Sequence, residues 1–167
     1  MLTTMTTDLI TGKPMGDSIT VTPIGVVRGG RSELYEDHWG DVTARIVLDP
    51  AGVEPEATVG LADYSHLEVV FVFHLALSDR RGAFHPRGNP AWPVVGVLAG
   101  RSPLRPNHLG VSRCELLSVD GLELTVRGLD ALDGSPVLDV KPYISELAPR
   151  GEVREPEWVR DLMRDYY

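Results

Sequence analysis

The chain has 167 residues, 43% of them apolar and 24% charged, enough for one domain with a real core and unlike the composition of a disordered chain. With 16 Lys and Arg against 24 Asp and Glu, the net charge of −8 speaks against a general nucleic-acid-binding surface. No apolar run reaches the roughly 18 residues that span a bilayer and the start lacks the basic and apolar regions of a secretory signal, so a cytoplasmic protein with no membrane attachment is expected.

Residues 1–17 are polar and Thr-rich without a sustained period and read as a mobile leader. SITVTPIGVV, TARIVLDP and LEVVFVFHLAL follow, β-branched or aromatic runs punctuated by Gly, Pro and Asp, and predict strands. GVEPEATVGLADY, between the second and third, suggests a short helix. The stretch from Ser78 to Pro93 is polar and rich in Pro and Gly, which marks a functional loop, and VVGVLAG reads as a short strand. RCELLSV and LELTVRGL flank Asp120-Gly121 and predict a tight hairpin. SPVLDVKPY supplies a further strand. Only EPEWVRDLMRDYY is clearly helical, with Trp158, Leu162 and Tyr166 at i, i+4 and i+8 behind Pro156. Many short strands and few helices point to a mainly β protein, an antiparallel barrel or sandwich.

The usual catalytic signatures are missing. GVVRGG has the wrong glycine spacing for a phosphate loop and reads as a tight turn. The histidines show no paired spacing, so no metal site is expected. Ser65, His66, Ser112 and Asp139 lack the nucleophile-elbow context of a triad. The single Cys114, in SRCELLSV, excludes an internal disulfide and is read as a buried structural thiol.

Two constellations stand out. RSPLRPNHLG places Arg101 and Arg105 on a loop stiffened by two prolines, able to offer planar forks to a carboxylate or phosphate. LDALDGSPVLDVKPY carries Asp130, Asp133 and Asp139 near a Gly-Ser-Pro turn, followed by Lys141 and Tyr143. As isolated turns each caps strand ends; together they suggest a zwitterionic ligand. Arg80, Arg81, Arg87, Arg101, Arg105 and Arg113 also cluster in a stretch where Asp79 is the only acid, a local positive region within an acidic chain.

GVLAGRSPLRPNHLGVS followed by LDALDGSPVLDVKPYI resembles the paired signature of the TsaA-like, or TrmO-type, methyltransferase family, and PIGVV and YSHLEVVFVFH match it in order, over about residues 20 to 145. The resemblance implies a small closed antiparallel β-barrel over 18–147, with 148–167 a short C-terminal helical extension. It also implies S-adenosyl-L-methionine as cofactor, a homodimer with sites near the subunit interface, and N-methylation of threonylcarbamoyladenosine next to the tRNA anticodon. Carried across by motif, Arg101 and the turn Asp133, Gly134, Ser135, Pro136 contact the cofactor, with His66 and Leu67 bordering it. Arg105, Asn107 and Ser112 build the loop. Asp139, Lys141 and Tyr143 lie on the substrate side as candidates for catalytic proton transfer. Trp39, in the Asp37-His38-Trp39-Gly40 stretch that stands near the family's Pro-Arg-Gln element, falls at the cofactor edge. That departure, the altered HPRGNPAWP loop and the net acidity keep open a small-molecule methyl acceptor, for which Trp39 and Trp92 would line a pocket. A cofactor-binding protein without catalysis is a third reading.

Overall fold

The strands are built by simple alternation of apolar and polar residues. The computed structural model describes residues 18–167, so the leader expected over 1–17 lies outside the described residues. Within them the strands are β1 (Gly25–Gly29), β2 (Thr43–Leu48), β3 (His66–Val72), β4 (Ala83–Phe84), β5 (Val95–Gly96), β6 (Leu109–Asp120), β7 (Glu123–Arg127) and β8 (Pro136–Pro142), followed by one helix, α1 (Glu157–Met163). Along β2, Ala44, Ile46 and Leu48 are buried while Thr43 and Arg45 face out; β3 buries Leu67, Val69 and Phe71 in the same way. Slipping either strand by one residue would turn its whole apolar row to water, so burial fixes the register.

Six strands close into an antiparallel barrel in the order β1-β2-β7-β6-β3-β8, with β8 returning to β1. The mainly β architecture with a short C-terminal helix is therefore the one expected. Val27, Ile46, Leu67, Val69, Leu124, Val126, Leu129 and Val137 fill the interior with no exposed surface. Phe71 projects inward over Gly110 on β6, its ladder partner. A Cβ at position 110 would stand 2.4 Å from Phe71 Cζ, so the ring needs glycine there.

Local details depart from the sequence reading for identifiable reasons. The first strand begins at Gly25, well after Ser18, because Pro23 has no N–H to give a ladder and pairing with β8 starts from Ile24 N to Val137 O, 2.8 Å. The expected helix over GVEPEATVGLADY is two 3₁₀ turns, Pro55–Thr58 and Leu61–Asp63, separated by Gly60 at φ +80°. VVGVLAG gives only the two residues of β5 before another 3₁₀ turn, and β5 pairs with β4 inside the segment read as loop. In the β6–β7 hairpin Asp120 pairs with Glu123, so Gly121 at φ +56° and Leu122 make the turn, one residue later than expected. α1 ends at Met163, and Tyr166 lies beyond it.

A bulge in the β3–β8 pairing has the largest consequence. Val70 faces Asp139 but Phe71 faces Val137, so the phase of β8 shifts by one. Val137 and Val140 both pack on the core, and Asp139 and Lys141 point out of the barrel wall.

Because all six barrel strands run antiparallel to their neighbours, the ends of β1, β3 and β7 and the starts of β2, β6 and β8 share one mouth. The β1–β2 loop, the long β3–β6 connection and the β7–β8 loop all cross that mouth.

Candidate functional site at one barrel mouth

The acid-bearing turn is bolted to the end of β1. Asp133 N–H donates to Arg31 O at 2.7 Å, Gly134 N–H to Val27 O at 2.8 Å, and Val27 N–H to Ser135 O at 2.9 Å. The Asp133 carboxylate accepts Gly29 N–H at 2.8 Å through Oδ1 and is otherwise turned to solvent. Gly29 and Gly30 at φ +73° and +72° make the chain reversal that allows this. Gly134 sits at φ +82° against the His74 ring, and the buried Ser135 hydroxyl shares a hydrogen bond of 3.2 Å with His74 Nδ1.

The arginine loop arrives from the other side. Its backbone is held by Arg105, whose guanidinium donates to Gly100 O at 3.2 Å, and by left-handed Asn107 and His108 at φ +63° and +50°. Arg105 braces the turn. Arg101 is exposed and donates one hydrogen bond, to Val111 O on β6 at 2.6 Å. The next residue along that strand, buried Ser112, receives Asp130 N–H on its Oγ at 3.3 Å. The guanidinium loop and the 130–135 turn thus meet on adjacent residues of β6.

The β1–β2 loop forms the third side. Arg31 donates to Asp37 O at 2.6 Å and, by a very short contact, to His38 O, and its guanidinium lies 4.5 Å from the Trp39 ring centroid and 5.5 Å from that of Tyr35. Trp39 is only 5% exposed and packs as a wall beneath Arg31. Gly30, Arg31, Ser32, Glu33 and Tyr35 line a concavity of about 380 Å³ next to Asp133. A larger hollow of about 630 Å³, lined by Ile24, Leu48, Leu61, Leu124 and Val140 among others, lies at the opposite mouth and brings no charged constellation with it.

Residues after α1 complete the rim. His38 N–H donates to Asp165 O and Trp39 N–H to Tyr166 O, both at 2.7 Å. Tyr166 Oη donates to Asp130 Oδ2 at 2.5 Å, while Asp130 Oδ1 is buried without a hydrogen-bond partner. Burial, with the Asp130 charge second, pushes the phenols of Tyr166 and Tyr167 upward, and the Arg101 charge pulls both the other way. Burial and then Asp130 also push the Cys114 thiol up to about 12, which makes it an inert core group.

Of the residues singled out from sequence, Arg101, Asp133, Gly134, Ser135, Pro136 and Trp39 come to this mouth. His66 and Tyr143 do not. They meet at the far end of β3, about 20 Å along the strand from Val72, where Tyr143 N–H donates to His66 O at 2.9 Å. Leu67 is fully buried, its side chain in the core. Asp139 and Lys141 form an ion pair of 2.5 Å on the outer wall, near the Glu68–Arg113 pair of 3.0 Å, with Arg113 5.1 Å from the Tyr143 ring centroid. Its hydrogen bond to the Asp139 carboxylate, and then the charge of that group, raises the Lys141 ammonium above the usual lysine range and keeps it protonated. Arg31, Tyr35, His74 and Tyr166 also stand at this mouth and were not singled out from sequence: His74, Tyr166 and the Arg31 carbonyl reach it through partners far along the chain, Ser135, Asp130 and Asp133, while Tyr35 and the Arg31 guanidinium lie in a loop whose motif departs from the family's.

The positive stretch is also partly neutralised. Arg81 pairs with Asp79, Arg113 with Glu68, and Arg87 with Glu36 and Asp37. Among the described residues, Arg80, Arg101 and Arg105 have no carboxylate partner, and Arg80 lies 4.4 Å from the Phe84 ring centroid. Among the described residues no group of three or more His, Cys, Asp or Glu could hold a metal, and no helix is long and apolar enough to cross a membrane.

Residues 36–148 match the family described as the tRNA-methyltransferase O N-terminal domain. A human protein named tRNA (adenine(37)-N6)-methyltransferase is 41% identical over 100 residues, 59% of this chain and 22% of its own length. A Methanothermobacter thermautotrophicus protein named probable S-adenosyl-L-methionine-binding protein is 38% identical over 137 residues, 80% of this chain and 96% of its own. A solved structure, the crystal structure of TrmO from Pseudomonas aeruginosa, superposes with a TM-score of 0.68 at 30% identity, covering 83% of this chain and 61% of that one. The chain therefore spans less than a quarter of the human relative.

Proposed function

Because the chain belongs to the tRNA-methyltransferase O N-terminal domain family, we propose that it is an S-adenosylmethionine-dependent methyltransferase whose acceptor is the threonylcarbamoyl-bearing adenosine beside the tRNA anticodon. The convergence of Arg101 with the Asp130–Ser135 turn on neighbouring residues of β6 carries this reading.

The residues present suit the cofactor. S-adenosylmethionine presents a carboxylate, an ammonium, a sulfonium and ribose hydroxyls, so one site must offer both charge signs. Here an exposed guanidinium, an exposed Asp133 carboxylate and the unpartnered Asp130 Oδ1 lie at one mouth, beside the shallow concavity of about 380 Å³ formed by residues 30–35. When bound, the cofactor supplies a methyl activated for displacement by its sulfonium.

The protein's own work is alignment. Arg101 takes the carboxylate by charge-assisted hydrogen bonds, Asp133 takes a donor, and the main-chain bonds of residues 133–135 to β1 hold that acid still. Trp39 and Tyr35 exclude water at the rim. Asp139, Lys141 and Tyr143, on the outer wall and far end of the barrel, stand apart from this mouth, and this reading gives them a part in proton transfer only within the homodimer that the family resemblance implies.

Incubating the protein with S-adenosylmethionine and tRNA carrying threonylcarbamoyladenosine, then analysing the nucleosides by mass spectrometry, tests the proposal. A mass gain of one methyl on that nucleoside is expected, and an unchanged nucleoside pool rejects tRNA as acceptor. A second reading, a small-molecule acceptor, is favoured by the pairing of Arg81, Arg87 and Arg113 with nearby acids. Methyl transfer that requires tRNA and weakens steeply with salt eliminates it.

A further inference from the structure

Asp130 is held in a position that nothing in the barrel itself explains. Its N–H is anchored on Ser112, its Oδ2 is taken by Tyr166, and its Oδ1 is buried without a partner. Leaving a buried charged acceptor half-satisfied is costly, and such an atom is satisfied in most proteins. The cost is borne beside Tyr166 and Tyr167, whose phenols feel the Asp130 carboxylate and, with the opposite sign, the Arg101 guanidinium. The Tyr166 phenol thus takes the Asp130 carboxylate that a donor group of a zwitterionic ligand could otherwise take.

The segment that delivers them is loosely tied. Residues 149–157 are all exposed, and the ion pairs Arg154–Glu152, Arg160–Glu155 and Arg164–Asp161 are internal to the segment. Its attachments to the rest of the chain include Trp158 beside Trp92, ring centroids 6.2 Å apart, the two main-chain bonds to His38 and Trp39, and the Tyr166–Asp130 bond. The stretch 149–157, with no buried residue, opens at low free energy compared with the barrel and leaves the residues after it free to move as a unit.

We propose that Asp130 is a ligand-binding carboxylate that receives a hydroxyl or ammonium donor of the nucleotide cofactor, and that residues 157–167 form a strap whose Tyr166 phenol occupies Asp130 until the ligand displaces it. The inference rests on the methyl-donor reading of the same mouth. Its signature is a sign: removing the phenol oxygen uncovers the carboxylate and improves binding, whereas a merely structural tyrosine would leave binding unchanged or weaken it.

The test is titration calorimetry and stopped-flow binding of S-adenosylmethionine and of 5′-methylthioadenosine, which keeps the ribose but lacks the amino-acid arm, to the full chain and its Tyr166→Phe, Asp130→Asn and doubly substituted forms. Tyr166→Phe is expected to bind S-adenosylmethionine about threefold to tenfold more tightly with a faster association rate, and Asp130→Asn about tenfold more weakly. The double variant should match Asp130→Asn, because no carboxylate remains to be uncovered. A penalty in Asp130→Asn with both ligands assigns the ribose as donor, and a penalty with S-adenosylmethionine alone assigns the ammonium; both outcomes support the proposal. Unchanged or weaker binding by Tyr166→Phe overturns it while leaving the methyl-donor reading intact. Absence of binding by the wild-type chain overturns both. Tyr166→Phe removes a single half-buried oxygen and keeps the ring, so it keeps the proposal falsifiable even if Asp130→Asn fails to fold.

Discussion

Arg87 grips Asp37 with both terminal nitrogens, at 2.9 and 2.5 Å, and reaches Glu36 through Nε at 3.0 Å. The contact joins the β1–β2 loop to the long β3–β6 connection, two of the three loops that cross the mouth. It also cancels part of the positive charge that the sequence concentrates there. The two side chains are 22% and 23% exposed, and a fork on a carboxylate is stronger than a single ion pair.

Replacing Arg87 by Ala is expected to lower stability by about 1 kcal/mol, measured by urea denaturation. Lys will not restore it, since an ammonium cannot reproduce the fork. Because Arg87 is held at φ +51°, Arg87→Gly should lose about 1 kcal/mol less than Arg87→Ala by relieving the left-handed backbone. Equal losses in Ala and Gly would show that the loop relaxes when the pair is gone.

Arg101→Ala should change stability by less than about 0.5 kcal/mol, because the side chain is exposed and makes one hydrogen bond to main chain. It should weaken S-adenosylmethionine binding about tenfold through the lost charge-assisted contact. Calorimetry with unchanged affinity removes Arg101 from the site.

Gly110→Ala tests the packing on which β6 depends. The new methyl would overlap the ring of Phe71, itself 1% exposed, so the core must shift and stability should fall by about 2–3 kcal/mol. Thermal denaturation checks it. Adding Phe71→Leu in the same chain should recover part of the loss, because the overlap is with the far end of that ring.

Alkaline pH should expose the buried proton holders. The unfolded thiol of Cys114 ionises near 9.0, and burial keeps it protonated to about 12 in the fold. Between those values the folded chain binds more protons than the unfolded one, so stability falls as pH rises, by up to about 1.4 kcal/mol per pH unit for each such group. Below pH 9.0 the Cys114 contribution is fully present. Tyr166 and Tyr167, raised in the same direction, add to the fall. Urea midpoints should therefore drop from pH 9.0 upward, and Cys114→Ala should make the drop shallower. An identical slope in that variant would exclude the thiol.

Much of the architecture was legible along the chain because strand formation is local. Alternation in TARIVL and LEVVFV, the turn glycine at 121 and the apolar period of EWVRDL each depend on residues that are close in sequence. The candidate site residues were legible only where they formed contiguous motifs, as around Arg101 and Asp133. Asp139 and Lys141 looked like neighbours of the acidic turn, yet the bulge beside Val70 turns them to the outer wall, and no pattern in β8 alone reveals a register shift that its partner strand imposes.

By itself the amino-acid sequence determined that this is a strand-rich domain carrying an arginine loop and an acidic turn, since composition, periodicity and turn chemistry act over a few residues. Barrel closure decided which of those groups share a mouth, that Trp39 packs beneath Arg31, and that Tyr166 covers Asp130. Those are contacts between segments tens of residues apart, fixed by the order in which strands pair and by the stagger of their ladders.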